Sequence, residues 1–145
     1  MDQLPAIAVL GGSGELGSAL ARRWAQAGYL VIIGSRTADR AIEAAALIGQ
    51  QVRGAENVEA AKAAEVIVVA VLYSNHAHIL EAIKPTASGK TGVDVVVPLV
   101  PPKVSVAPQG GSAALLCDSS INSSERSPNG MSFGLFNPWC EQRKI

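Results

Sequence analysis

Several residue types are scarce in this sequence, and each scarcity excludes a class of protein. The two cysteines, Cys117 and Cys140, both come late in the 145-residue chain. Two cysteines without a secretory signal do not make a disulfide framework. The first residues lack the basic, apolar and small-residue sections of such a signal, so the cytoplasm is the expected compartment. Asn122-Ser123-Ser124 is then a chance match to a glycosylation acceptor. No apolar run approaches the roughly 20 residues of a membrane helix; the longest, Val66 to Leu72, has strand length. Charge of one sign is not in excess, since 12 basic residues balance 12 acidic ones, and neither nucleic acid nor an anionic membrane is an expected partner. Of the two histidines, His76 and His78 would point to different faces of a helix and cannot share a metal, so no metal site is expected. Gly89-Lys90-Thr91 looks like the end of a phosphate-binding P-loop, but Lys84 stands where that motif needs its first glycine. Tyr73 lacks the serine and lysine partners of a short-chain dehydrogenase site.

What is present is a glycine fingerprint. Residues 6–17 read Ala-Ile-Ala-Val-Leu-Gly-Gly-Ser-Gly-Glu-Leu-Gly, an apolar strand running into Gly-x-Gly-x-x-Gly at Gly12, Gly14 and Gly17. In this pattern Gly12 permits the tight turn, Gly14 lets a pyrophosphate approach bare backbone, and Gly17 lets the following helix pack closely on the sheet. A helix over 15–27 would direct its free N–H groups and the positive end of its dipole at the phosphates. A dinucleotide is the expected ligand.

The second strand carries the next signal. Gly28 caps the helix, and Tyr29-Leu-Val-Ile-Ile33 reads as a strand ending in Gly34-Ser35-Arg36. NAD-binding folds place an Asp or Glu here to accept bonds from the ribose hydroxyl. This chain has Ser35 and Arg36 instead, with Arg40 about one helical turn further on. A carboxylate would repel a 2′-phosphate, whereas a guanidinium grips it and a hydroxyl donates to it. NADP(H) is therefore expected over NAD(H). Asp39, in a first helical turn, suits the helix dipole.

Beyond this the chain alternates. Helices are expected over 41–48 (ended by Gly49), 57–64 (with Asn57 as N-cap) and 76–84 (stopped by Pro85); strands over 50–52, 65–71 and 93–97. Such alternation predicts an α/β fold, a Rossmann-like doubly wound parallel sheet, over a single domain at 1–115. Loops 11–17, 34–40, 72–76 and 98–103 would face the ligand. Asp94, inside an apolar strand, is either a loop cap or a satisfied structural carboxylate.

Leu10-Gly-Gly-Ser-Gly-Glu-Leu-Gly17, Val31-Ile-Ile-Gly-Ser-Arg36 and Val93-Asp-Val-Val-Val-Pro-Leu-Val-Pro-Pro-Lys103, with Gly110-Gly-Ser-Ala-Ala114, together resemble the NADPH-dependent coenzyme F420 reductases over residues 6–114. The resemblance implies hydride transfer between NADP(H) and coenzyme F420, a 5-deazaflavin. It implies that Ser13 and Leu16 line the pyrophosphate, and that Ser35, Arg36 and Arg40 hold the 2′-phosphate. The nicotinamide would lie against Leu72 and Tyr73 and against Val97, Pro98 and Leu99. Glu15 departs from the small or neutral residue usual at its place, and must point outward to be tolerated beside a pyrophosphate. No catalytic acid or base is implied, because the cofactors carry the chemistry. Family members use later parts of the chain in dimer contacts, which leaves a homodimer open.

From about Leu115 the periodicity ends. Residues 116–145 are serine-rich and hold both phenylalanines and Trp139, and they read as an irregular, poorly ordered tail, expected from a truncated or frame-shifted copy rather than a new functional segment. Activity of the chain alone is accordingly open. The competing functions are a related NADPH-dependent imine, pyrroline-carboxylate or ferric reductase, and a non-catalytic NADP-binding or redox-sensing module.

Overall fold

Short apolar runs rich in β-branched residues form the three central strands and decide where the helices can lie. The computed structural model describes residues 3–96. Strands β1 (Ile7–Leu10), β2 (Val31–Ser35), β3 (Val52–Glu56), β4 (Val66–Val69) and β5 (Thr91–Asp94) make one sheet in the order β3-β2-β1-β4-β5. Helices α1 (Glu15–Gln26), α2 (Ala38–Ile48), α3 (Asn57–Ala63) and α4 (Tyr73–Ala87) connect them in turn. All four pairings are parallel; Val9 stands opposite Ile33 and Val68, and Val68 opposite Val93.

Strand alternation sorts the core into two layers. Ile7, Val9, Val31, Ile33 and Val68 pack with Ala21 of α1 and with Ala41 and Ala45 of α2. Ala8, Leu10, Ile32, Ile67 and Val69 pack on the other face with Ala60 and Ala61 of α3 and Ile79, Leu80 and Ile83 of α4. Alanines at the buried helix positions let those helices sit close to the sheet. This is the doubly wound α/β sheet that the alternation predicts. The chain runs outward from β1 to β3, then returns to place β4 on the other side of β1. The crevice beyond the carboxyl ends of β1 and β4 is the switch point, where ligands of such sheets bind.

Several boundaries differ from expectation, each for a local reason. α1 ends in a Schellman motif: Tyr29 N–H donates to Trp24 O and Gly28 N–H to Ala25 O, both at 3.0 Å, with Gly28 at φ +91°. That turn consumes Gly28 and Tyr29, so β2 starts at Val31 rather than Tyr29. α2 begins at Ala38, capped by Thr37. β3 runs over Val-Arg-Gly-Ala-Glu, an edge strand with little apolar pattern, instead of 50–52. Asn57 is the first helical residue of α3, and Glu56 is its N-cap. Pro85 does not stop α4, which continues to Ala87. The missing N–H and the ring act on the turn before the proline, so residues 85–87 can keep a helical backbone; Thr86 Oγ1 donates to Ile83 O at 2.7 Å beside it. β5 covers 91–94 rather than 93–97, since its register with β4 begins at the Val66–Thr91 pair. Lys90 of the Gly89-Lys90-Thr91 segment donates to Ala61 O (2.6 Å) and Lys62 O (2.7 Å) at the end of α3, and burial lowers its pKa below the ordinary lysine range. The 1–115 boundary, the tail at 116–145 and both cysteines lie outside the described residues. No helix among the described residues is long and apolar enough to cross a membrane.

Leu80 is 1% exposed and Leu47 on α2 is 82% exposed. Leu80→Ala should cost about 2–5 kcal/mol in chemical denaturation, whereas Leu47→Ala should stay within about 0.5 kcal/mol.

Candidate functional site

β1 hands the chain to Gly11, which sits at φ +76° with its N–H bonded to Gly34 O at 3.0 Å. A Cβ there would lie 2.6 Å from Ala70 O. The left-handed residue of the turn is thus Gly11, one residue before the fingerprint. Gly12 is required for another reason, because a Cβ would meet Val9 O at 2.8 Å and Ile33 Cγ2 at 2.9 Å. At Gly17 a Cβ would lie 2.7 Å from both Gly11 O and Gly12 Cα, so the first turn of α1 rests directly on the turn that precedes it. Gly14 differs from these three. Its φ is an ordinary −83°, and the nearest neighbour of a Cβ would be Gly11 O at 3.4 Å. Packing has room for a side chain at Gly14; its absence leaves the backbone open to a cleft.

That cleft, about 1220 Å³ in volume, lies across the switch point. Ser13, Gly14, Glu15 and Leu16 line it at the start of α1. The first bond of the helix runs from Ser18 N–H to Gly14 O at 2.9 Å. The N–H groups of Glu15, Leu16 and Gly17 are outside the helical ladder, at the positive end of the dipole. Glu15 is exposed, though it still borders the cleft.

At the end of β2, buried Ser35 places its Oγ 3.4 Å from Ser13 Oγ, tying the two loops together. Arg36 and Arg40 border the same end of the cleft. Arg36 precedes the Thr37 N-cap and Arg40 lies in the first turn of α2, so they approach from a loop and a helix rather than from one helix face. Both are exposed, with no ion pair among the described residues. Glu56, Asn57 and Val58, which the sequence reading missed, complete this end. Asn57 is buried, and its Oδ1 has no hydrogen-bond partner among the described residues. The polar composition of β3 hid this turn; the position at the carboxyl end of a strand was the signal that could have found it.

The other end of the cleft is built from Ala70, Val71 and Leu72 after β4, from Tyr73, Ser74, Asn75, His78 and Ile79 of α4, and from Val95 and Val96 after β5. Leu72 is 75% exposed at its rim. Behind the wall, His76 Nε2–H donates to Asp94 Oδ2 at 2.7 Å, and Val96 N–H donates to Asp94 Oδ1 at 2.9 Å. Asp94 is therefore both the satisfied carboxylate and the loop cap that its strand position left open. The Tyr73 ring stacks on His76, with centroids 6.3 Å apart. No group of His, Cys, Asp and Glu suited to a metal occurs among the described residues. Of the expected site residues, Gly12 and Gly17 shape the turn and Ser13, Gly14, Glu15, Leu16, Ser35, Arg36, Arg40, Leu72 and Tyr73 share one cleft. Val97, Pro98, Leu99 and the 98–103 loop lie outside the described residues.

A family model described as NADP oxidoreductase, coenzyme F420-dependent, matches residues 6–98. The F420-dependent NADP reductase of Methanothermobacter marburgensis is 42% identical over 100 residues, covering 64% of this chain and 45% of the relative. The reductase of the same name from Methanocaldococcus jannaschii is 35% identical over 102 residues, with the same coverage of 64% and 45%. The chain spans less than half the length of these curated relatives. Two solved structures share the fold. A proposed F420-dependent NADP-reductase from Arthrobacter sp. FB24 superimposes with a TM-score of 0.73 at 24% identity, over 81% of this chain and 58% of that one. The pyrroline carboxylate reductase of Plasmodium falciparum, solved with NADP bound, gives 0.53 at 23% identity, over 72% and 37%.

The two glycines flanking the start of α1 should separate folding from binding. Gly17→Ala should destabilise by about 1–3 kcal/mol through overpacking. Gly14→Ala should cost no more than about 1 kcal/mol, the scale of a helix-cap change, yet weaken nucleotide binding measured by titration calorimetry.

Proposed function

The chain belongs to the coenzyme F420-dependent NADP oxidoreductase family, and from that premise we propose that its cleft binds NADP(H) for hydride exchange with a 5-deazaflavin. The observation that carries the reading is the pair of exposed guanidiniums, Arg36 and Arg40, beside Ser35 at the end of β2. NAD-selective sheets place a carboxylate there. With Glu56 lining the same cleft at the end of β3, Arg36 and Arg40 still outnumber it two to one.

The residues fit a phosphorylated dinucleotide. The bare Gly14 and the free N–H groups of Glu15 and Leu16, with the Ser13 hydroxyl, would take the pyrophosphate. Ser35, Arg36 and Arg40 would take the 2′-phosphate, the guanidiniums in bidentate fashion. Leu72 and Tyr73, with Val97, Pro98 and Leu99, would flank the nicotinamide, and apolar Val71 and Ile79 would exclude water there. When bound, the two cofactors supply the hydride chemistry. The protein's part is alignment, which accounts for a site with no assigned acid or base. The same reading makes this a cytoplasmic enzyme of small molecules, with a homodimer open to it; a net charge of zero gives no attraction for nucleic acid.

Arg36→Glu should weaken NADPH by about 2–4 kcal/mol and leave NADH nearly unchanged, as measured by calorimetry of the full chain. An equal loss for both dinucleotides would remove the assignment. An absorbance assay with oxidised deazaflavin and NADPH tests the reaction. Binding without turnover would favour a nucleotide-binding module, and turnover of an imine or ferric chelate a related reductase.

A further inference from the structure

We propose that His76 and Asp94 are positioning residues that lock the first turn of α4 to the end of β5 and so set the shape of the nicotinamide end of the cleft. This rests on the NADP(H) reading above. Both residues are buried, at 1% and 5% exposure, and their contact of 2.7 Å joins α4, which lines the cleft, to the end of β5, just before the cleft-lining Val95 and Val96. On one side, the Tyr73 ring stacks on His76, so the orientation of the imidazole is passed to a residue of the cleft wall. On the other, Asp94 Oδ1 takes the Val96 N–H at 2.9 Å and so ties down the segment after β5, where Val95 and Val96 line the cleft. Asp94 uses one oxygen for each wall.

Stability does not explain such a pair. A buried polar pair replaced by apolar residues of similar volume is often neutral or better. Asp94 stands in register with Val69, in a sheet position where an apolar residue would be at home. What a directional pair adds over apolar packing is a single relative placement of two walls. A ring to be held for hydride transfer needs that placement, since small misplacements of reacting groups carry large rate costs.

The test separates the two ends of the cleft. Adenosine 2′,5′-bisphosphate carries a 5′-phosphate and the 2′-phosphate but no nicotinamide. On the full chain, Asp94→Ala should leave its affinity within about twofold, while NADPH affinity falls about tenfold or more and the fluorescence change of bound reduced nicotinamide is lost. Asp94→Asn should retain both properties, because the amide oxygen accepts from Val96 and the amide N–H donates to the other His76 tautomer. Should Asp94→Ala fail to fold, the double variant His76→Leu with Asp94→Val keeps the volume, removes the link and should show the same selective loss. If bisphosphate and NADPH affinities fall together, or NADPH binding is unchanged, the positioning role is overturned. If the bisphosphate does not bind the unaltered chain, the NADP(H) reading falls, and this inference with it.

Discussion

Close contact between the first turn of α1 and the bend leaving β1 is the constraint on which the site depends. Gly17 lies so near Gly11 and Gly12 that a single methyl would force the helix away, and Gly11 itself, in a left-handed conformation, lies so close to Ala70 O that it leaves no room for a Cβ. With that seat occupied, the free N–H groups of α1 point at the switch point between β1 and β4. Move the helix by the width of a side chain and the same dipole would face solvent.

Everything else at the cleft is arranged relative to that seat. Gly11 and Gly12 share the carbonyl of Gly34, which holds the end of β2 beside the bend and brings Ser35 against Ser13. Ala70 N–H donates to Leu10 O at 2.9 Å, which does the same for the end of β4. Backbone bonds between parallel strands thus gather three loops from distant parts of the sequence. Side-chain chemistry enters after that, with guanidiniums at one end and apolar and aromatic groups at the other.

Much of this was legible because central parallel strands are apolar on both faces and the glycine pattern has a specific physical cause. β1, β2 and β4 and the doubly wound plan could be read from runs such as Val31-Ile-Ile and Val66-Ile-Val-Val. What was not legible lay where tertiary context overrides local signals. β3 is held by its neighbour and by close packing of α2 at Gly54, not by its own composition. Pro85 reads as a stop, yet the helix runs two residues past it to Ala87. The positive φ of the turn falls on Gly11, ahead of the fingerprint, because the spacing of a fingerprint does not say which glycine carries it. Asp94 looked anomalous in sequence since its partner, His76, belongs to a different element.

The most direct measurement is the backbone amide spectrum of the full chain during titration with NADPH. The N–H resonances of Ser13, Glu15 and Leu16 should move first and furthest, and saturate together with those of Ser35 and Arg36. Saturable binding that leaves these five amides in place would contradict the account.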